Sequence, residues 1–283
     1  MKFSNILIVT DLDGTFFNEK RQLVQKNLDA IAYFQENGGM FTFAPGREPN
    51  VLGFMAPIAP KLCNAPSVLC NGSYSYDFEK GERIGEIELN YEKTVELVHF
   101  CIREFPQIGI RISTHEGYYS PNDTEFIHKT LGGFYTELVA SNQYHVCDID
   151  KTPHCGWTRC AFNAESDDLD ALRPHLEERF GEYFAFNKAE AHIFEYQDKR
   201  ATKGQGIDTL RRQLIEAKKA DESLKIYALG DYDNDRDLLL HADVACCPAN
   251  AIDSIKAIAS VHLCHCNDGT TADLIARIER GLA

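Results

Sequence analysis

Short apolar runs alternate with helical patterns at the amino-terminal end of the chain. Residues 6–9 are four aliphatics in a row, which predicts a strand buried on both faces. A helical pattern follows, with Leu28, Ile31 and Phe34 at its apolar positions, and then come strand-like residues 40–44 and 68–70. This order of strand, helix and strand is typical of a parallel sheet.

The same rhythm returns at the carboxyl-terminal end. Ile207, Leu210 and Leu214 recur at helical spacing, and residues 226–229 are strand-like. Further strands are predicted at 244–247 and 261–266, with a short helix around Ile255 between them. We therefore expect both ends of the chain to form one α/β domain.

The middle of the chain has a different pattern. Residues 86–89 alternate polar and apolar positions and residues 91–105 are amphipathic. More strands are predicted at 108–113, 158–163, 183–187 and 191–196. The sequence thus predicts a parallel-sheet core of residues 1–83 and 196–283, split by an inserted α+β cap of residues 84–195. Two short connections would let this cap act as a lid.

Acidic residues follow two of the core strands at their carboxyl ends, where open α/β sheets bind ligands. Asp11 and Asp13 follow residues 6–9, and residues two apart in extended chain point to the same side. Asp231 and Asp235 follow residues 226–229 and lie one turn apart if the chain becomes helical there. Solvated acidic turns are common, but two of them after apolar strands favour a metal site. Oxygen ligands without nearby cysteine or histidine select Mg²⁺.

Two other segments fit the binding of a phosphate group. Gly46 follows the strand at 40–44, and a glycine lets backbone N–H groups approach an anion. Lys203 opens the helix that contains Ile207, where a bound anion would justify a lysine against the helix dipole. Each signal is weak alone. A lysine at the start of a helix, for example, is usually a surface residue.

Composition and charge disfavour several classes of partner. The chain has 283 residues and a net charge of −14, which disfavours nucleic acid and anionic lipid as partners. Its ten cysteines have no framework spacing, which indicates a reducing, cytoplasmic compartment. No segment has the pattern of a signal peptide or a membrane span. A monomer of this length can bury a large core, and the oligomeric state is left open.

The motifs in this order resemble the haloacid dehalogenase-like superfamily, and within it the Cof-type phosphatases, which carry a large α/β cap on a Rossmann-like core. The first motif matches residues 11–15, the third matches Lys203 with Gly204, and the fourth matches residues 230–235. Asn71 with Gly72 and residues 267–269 also look like features of that family. The resemblance extends over nearly the whole chain.

This resemblance implies roles for individual residues. Asp11 would be the nucleophile, Asp13 the general acid and base, and Lys203 the group that stabilises phosphate and nucleophile. Mg²⁺ would be held by Asp11, Asp231 and Asp235, and by Asp13 through its backbone carbonyl. The expected residues near the substrate phosphate are Gly46, Arg47, Asn71 and Asn234. Carboxylate attack on phosphorus is chemically sound where a cation and a lysine offset the repulsion.

One position departs from the family pattern. The second motif normally ends in a threonine or serine before Gly-Arg, and here Pro45 stands in that place. Proline offers neither a hydroxyl nor an N–H, and a hydrogen bond to a charged group is worth about 1.5–3 kcal/mol. The favoured function is an Mg²⁺-dependent phosphatase acting on a small phosphorylated metabolite such as a sugar phosphate. The alternatives are a phosphate-binding regulatory protein with weak turnover and a phosphomutase, whereas a receiver domain is disfavoured by the cap.

Other polar clusters have weaker signals. Cysteines 246, 247, 264 and 266 lack the two-residue gap of zinc sites, so buried thiols are the better interpretation. In the cap, the polar side chains on or near strands are candidates for contacts with the rest of the substrate. They are equally well explained as solvated strand faces, and they comprise Arg111, Tyr118, Arg159 and His192.

Overall fold

The computed structural model describes residues 1–46, 48–49, 52–154 and 156–283, with the backbone alone at 53, 189 and 190. The chain divides into two compact units. One unit contains Met1–Glu86 with Ala201–Ala283, and the other contains Ile87–Arg200. For comparison, the sequence places the boundaries of the insertion at 84 and 195.

A parallel sheet of five strands forms the centre of the first unit. Its order is β14-β13-β12-β1-β2, and every neighbouring pair is parallel. The prediction that the strands after residues 5, 40 and 225 share one parallel sheet is confirmed. The strands are β1 (Ile6–Thr10), β2 (Met40–Phe43), β12 (Lys225–Leu229), β13 (Val244–Cys247) and β14 (Val261–His262).

Helices cover both faces of this sheet because its strands are apolar on both sides. Ile8, Phe41 and Tyr227 pack on one side in a core shared with Ile31 and Leu274. Leu7, Val9 and Ile226 pack on the other side against helical residues such as Ile207. The helices of this unit are α1 (Gln25–Glu36), α2 (Ala59–Leu62), α7 (Lys203–Glu216), α8 (Arg236–His241), α9 (Asp253–Lys256) and α10 (Thr270–Glu279).

A small antiparallel sheet also belongs to the first unit. The sequence places residues 68–70 in the parallel sheet, and this is wrong: β3 pairs with β4 instead, antiparallel. Residues 86–89 are also no strand: the hairpin ends at Ile84, and the N–H of Leu89 donates to the carbonyl of Trp157 at 2.7 Å without forming a strand pair. The three strands are β3 (Ser67–Leu69), β4 (Tyr74–Asp77) and β5 (Glu82–Ile84).

The second unit is a six-stranded sheet with two long helices on one face. Ile110, Ile112 and Phe162 point to this face and pack against Leu97 and Leu172 of the helices. The strand order is β10-β11-β9-β6-β7-β8. The strands are β6 (Gly109–Thr114), β7 (Gly117–Asn122), β8 (Tyr144–Val146), β9 (Arg159–Asn163), β10 (Phe184–Glu190) and β11 (Ile193–Asp198), and the helices are α3 (Tyr91–Glu104), α4 (Glu125–Leu131), α5 (Gly133–Ala140) and α6 (Ser166–Phe180).

Candidate active site

Two neighbouring strands deliver acidic residues to one edge of the parallel sheet. Thr10 at the end of β1 lies opposite Leu229 at the end of β12. The N–H of Asp11 donates to the carbonyl of Leu229 at 3.0 Å, so the two chains remain paired as they leave the sheet. Asp11 and Asp231 therefore enter the same crevice.

Lys203 joins the two acidic motifs. Its Nζ lies 2.7 Å from Oδ1 of Asp11 and 2.7 Å from Oδ1 of Asp235. The lysine is the first residue of α7, whose amino end is capped by the Thr202 hydroxyl accepting from the N–H of Gln205 at 3.1 Å. Lys203 is 1 % exposed and Asp235 is 0 % exposed, so the ion pair between them is buried. Asp11 shares the same lysine, so the three side chains form one buried ionic group.

Asp235 also organises the turn that carries Asp231. Its Oδ2 accepts from the N–H of Asp231 at 3.0 Å and from the N–H of Tyr232 at 3.3 Å. The hydroxyl of Thr15 donates to Oδ1 of Asp231 at 2.7 Å and fixes that carboxylate from the first motif. Asp235 thus holds both Lys203 and the Asp231 turn in place.

Three carboxylates form a group that fits one cation. Oxygen atoms of Asp11, Asp231 and Asp235 lie within 4.8 Å of one another. Within the described residues, no cysteine or histidine belongs to this group. A set made only of carboxylate oxygens matches the ligand preference of Mg²⁺.

The charges in this group strongly affect one another. Burial raises the pKa of Asp11 to about 7, and the neighbouring carboxylate of Asp235 adds to the rise while Lys203 opposes it. Burial raises the pKa of Asp231 to about 6, although the hydrogen bond from Thr15 opposes this. Burial disfavours the charged form of Lys203, but Asp11 and Asp235 outweigh it and raise the pKa of the lysine above its ordinary value. A bound cation would remove the cost of ionising these carboxylates together.

Asp13 lies apart from the three carboxylates. The period of two predicts that Asp11 and Asp13 point to the same side, but the strand ends at Thr10 and the chain turns over Leu12–Phe16. The Asp13 carboxylate is 40 % exposed and lies 3.6 Å from Nε of Arg21. Its side chain is therefore not in the carboxylate group, although it is near enough to raise the pKa of Asp231.

Gly14 is required by this turn. Its φ is +73°, and a Cβ there would stand 2.3 Å from Oδ2 of Asp231. A side chain at this position would displace the Asp231 carboxylate.

Gly46 and Asn71 come together beside the ends of the first two strands. Ala44 follows β2, and its N–H donates to the carbonyl of Thr10 at 2.9 Å. A Cβ on Gly46 would lie 2.9 Å from Oδ1 and 3.3 Å from Nδ2 of Asn71, so the carboxamide of Asn71 lies against the Gly46 backbone. Arg47, another predicted phosphate contact, lies outside the described residues.

The turn at Asn71 also touches the start of α7. Asn71 has φ +51°. Gly72 has φ +97°, and a Cβ there would stand 1.9 Å from the carbonyl oxygen of Thr202 and 2.9 Å from the backbone nitrogen of Lys203. The second motif, the Asn71 turn and Lys203 are thus neighbours in one packed arrangement.

Asn234 differs from its predicted placement. It is exposed in the short turn Asp233–Asp235. The sequence places Asn234 among the residues near the substrate phosphate, but Asp235 is the residue of this turn that points inward and contacts Lys203 and the N–H of Asp231.

Two site residues were missed by the sequence interpretation. Thr15 holds Asp231, and Asn250 donates to the carbonyl of Gly14 at 2.7 Å while accepting from the N–H of Cys266 at 2.9 Å. Asn250 lies shortly after β13 at the same sheet edge, so the strand-end signal that indicated Asp231 also applies to it.

Cysteines of the core have no metal-binding arrangement among the described residues. Cys246, Cys247, Cys264 and Cys266 are free thiols, and they are absent from the one group with metal-ligand spacing. Burial raises the pKa of Cys246 and of Cys266, which favours the neutral thiol.

The described helices include none with the length and apolar character needed to cross a bilayer.

The chain matches a known hydrolase family over most of its length. A family model for haloacid dehalogenase-like hydrolases matches residues 8–275. The chain belongs to this family, and the predicted enzyme class, a phosphatase, is confirmed.

Named relatives share most of the chain at low identity. An HMP-PP phosphatase of Yersinia enterocolitica is 25 % identical over 255 residues, covering 88 % of this chain and 86 % of the relative. A haloacid dehalogenase-like hydrolase from Bacteroides thetaiotaomicron has a TM-score of 0.75 at 20 % identity, covering 98 % of this chain and 99 % of that one. A subclass IIB sugar phosphatase has a TM-score of 0.75 at 16 % identity, covering 98 % of this chain and 99 % of that one. These structures confirm the α/β fold with a Rossmann-like core and cap.

Proposed function

We propose that this chain is an Mg²⁺-dependent phosphomonoester phosphatase that acts on a small phosphorylated metabolite through Asp11. The observation that carries the proposal is the buried contact of Lys203 with Asp11 and Asp235, next to the carboxylate of Asp231. The names of an HMP-PP phosphatase and a sugar phosphatase among the similar proteins support a small substrate.

The carboxylate group supports Mg²⁺ as the cofactor. Asp11 and Asp231 would hold the ion, and Asp235 lies within reach of it while its oxygens already accept from Lys203 and two backbone N–H groups. A bound Mg²⁺ would neutralise charge on the phosphate and on the carboxylates, which lets one anion approach another.

Asp11 is the proposed nucleophile. Lys203 binds its Oδ1, and within the described residues Oδ2 accepts no hydrogen bond. Attack by Oδ2 on phosphorus forms an aspartyl-phosphate and breaks the bond to the leaving oxygen. Asp13 would donate a proton to that oxygen and then accept one from the water that hydrolyses the intermediate. The inserted unit would select the substrate and exclude bulk water.

Asn71 is our candidate for the donor that Pro45 lacks. Thr42 cannot supply it, because its hydroxyl pairs with that of Ser67 at 2.8 Å on the side of α7. The Asn71 carboxamide lies against Gly46, one residue after Pro45, and carries an N–H₂ group. We infer that this group contacts the phosphate in place of the usual hydroxyl.

Exchanging these donors tests the inference. Asn71→Gly removes the carboxamide, and glycine tolerates the φ of +51° found at this position. This variant should have a kcat/KM lower by about ten- to a hundredfold, which is the contribution of one hydrogen-bond donor to a charged group. Pro45→Thr in the otherwise unchanged enzyme should raise kcat/KM by less than about tenfold. A large gain from a negligible starting rate would instead favour the regulatory alternative.

Mg²⁺ affinity should fall as the pH falls. The pKa values of Asp11 and Asp231 are raised to about 7 and about 6, and only ionised carboxylates bind the ion. Protons therefore compete with Mg²⁺ through the range where these groups titrate. We expect binding to be about tenfold weaker at about pH 6 than at about pH 8. Calorimetric titration in two buffers of different ionisation enthalpy would measure affinity and proton release together. An affinity that is constant over this range, with no proton release, would contradict the raised pKa values.

A generic aryl phosphate tests the function directly. Wild-type protein should release phosphate from it with Mg²⁺ and lose the activity in a chelator. A screen of phosphorylated metabolites would then identify the substrate class. Activity that requires a bisphosphate activator would indicate a phosphomutase, and binding of phosphate analogues without hydrolysis would indicate a regulatory protein.

A further inference from the structure

Arg111 is a buried cation without a carboxylate partner. It lies on β6, on the face of the six-stranded sheet opposite to α3 and α6, and is 5 % exposed. Its Nε donates to Oδ1 of Asn163 at 2.9 Å, and the ring of Tyr118 lies 5.3 Å from the guanidinium carbon. A buried guanidinium is costly unless an anion compensates it.

Two carboxylates on or beside the same sheet are already engaged. Glu195 pairs with Arg159 at 3.1 Å, on the two strands beyond β6. Asp123 accepts from the hydroxyl of Tyr144 at 2.7 Å and lies 2.8 Å from Nε2 of His128. No acidic side chain of the described residues is therefore paired with Arg111.

A buried donor without a hydrogen-bond partner lies beside this arginine. Asn163 is 0 % exposed, and its Nδ2 has no hydrogen-bond partner. Gly109 is opposite Asn163 and Arg111 is opposite Ala161, so these residues share one face of the antiparallel pair. A buried donor without a partner normally costs stability.

We propose that Arg111 and Asn163 form an anion-binding site for a carboxylate or phosphate group of a small molecule. Such a group would accept from the Nη atoms of Arg111 and from Nδ2 of Asn163, which compensates the charge and satisfies both donors. The site lies wholly within the inserted unit. It is distinct from the carboxylate group at Asp11, and its existence does not depend on the proposed function. The ligand is either a second anionic group of the substrate or a separate small anion.

Thermal unfolding with malonate, in buffer without Mg²⁺, tests binding. Saturating malonate should raise the melting temperature of wild-type protein by about 3 °C or more. Arg111→Gln should lose most of this shift. Arg173→Gln is the control, because Arg173 lies on α6 at the other face and is already paired with Glu177, and it should respond like wild type. Equal shifts in Arg111→Gln and wild type, or no shift in wild type, would overturn the site.

A second variant keeps the test valid if Arg111→Gln does not fold. Asn163→Asp places a carboxylate against Nε of Arg111, where the amide oxygen lies now. This built-in anion should raise the melting temperature of the ligand-free protein and abolish the malonate shift. A lower melting temperature with the malonate shift retained would show that Arg111 does not need an anion.

Kinetics identify the source of the anion. If it belongs to the substrate, wild-type enzyme should prefer a phosphorylated sugar acid to the phosphorylated sugar of the same skeleton, and Arg111→Gln should lose about tenfold of that preference. If it is separate, malonate should change wild-type hydrolysis of both compounds equally and leave the variant unaffected. Absence of aryl phosphate hydrolysis in wild type would refute the proposed function but would leave the malonate result standing.

Discussion

Replacing Asp11 with asparagine should lower the rate of aryl phosphate hydrolysis by about 10⁴-fold or more. The amide is isosteric with the carboxylate but is a poor nucleophile, and removing the nucleophile of a covalent mechanism costs losses of this order. The variant also loses one of the three oxygen ligands proposed for Mg²⁺. Initial rates at saturating Mg²⁺ would measure the chemical loss apart from the loss in ion binding.

A matched control lies in the fourth motif. Asp233 is an exposed carboxylate between Asp231 and Asp235 and accepts from the hydroxyl of Ser254 at 3.2 Å. Asp233→Asn removes the same charge close to the site and should leave the rate within about twofold of wild type, as expected for a screened surface group. If Asp11→Asn retained a rate comparable to this control, Asp11 could not be the nucleophile.

The parallel sheet was predictable because its strands carry their own signal. A strand covered on both faces must be apolar throughout, and residues 6–9 and 226–229 meet that condition. Acidic residues after such strands gather at one edge by topology, which is why Asp11, Asp231 and Asp235 were found from the sequence. The expected roles of these residues stay predictions.

The local sequence pattern gave wrong predictions where the structure of a segment depends on the segments that it contacts. Residues 86–89 alternate as a strand should, but strand formation needs a neighbouring strand, and within the described residues none pairs with them. The direction of the Asp13 side chain depends on where β1 ends, and alternation carries no information about that. Thr15 donates to Asp231, more than 200 residues away, and no local pattern indicates that partner.

The sequence pattern also does not distinguish among the polar residues of the inserted unit. The pattern treats Arg111, Arg159 and His192 alike, as polar positions on or near strands. In the structure Arg159 is paired with Glu195, and His192 is an exposed residue 3.7 Å from Glu165. Arg111 is buried without a carboxylate. Burial and pairing, which require the fold, separate the three.

Replacing Lys203 with methionine should both abolish hydrolysis and destabilise the first unit by about 3–5 kcal/mol. Removing one member of a buried ion pair leaves an uncompensated charge, and here Asp11 and Asp235 both lose the same partner at 2.7 Å. Denaturant unfolding in the absence of Mg²⁺, followed by far-ultraviolet circular dichroism, would measure the change. Lys26→Met, on an exposed position of α1, is the control and should change stability by less than about 0.5 kcal/mol.

Restoring positive charge at the site should show whether Lys203→Met loses stability for an electrostatic reason or through a packing defect. Mg²⁺ should restore more stability to this variant than it gives to wild type, because it is the one remaining cation that can offset the carboxylates. Asp235→Asn combined with Lys203→Met should likewise lose less stability than the single lysine variant, since the double variant buries one charge fewer. Losses that are unaffected by Mg²⁺ and additive in the double variant would show that Lys203 is held there for its shape, and its assignment as the charge partner of Asp11 would fail.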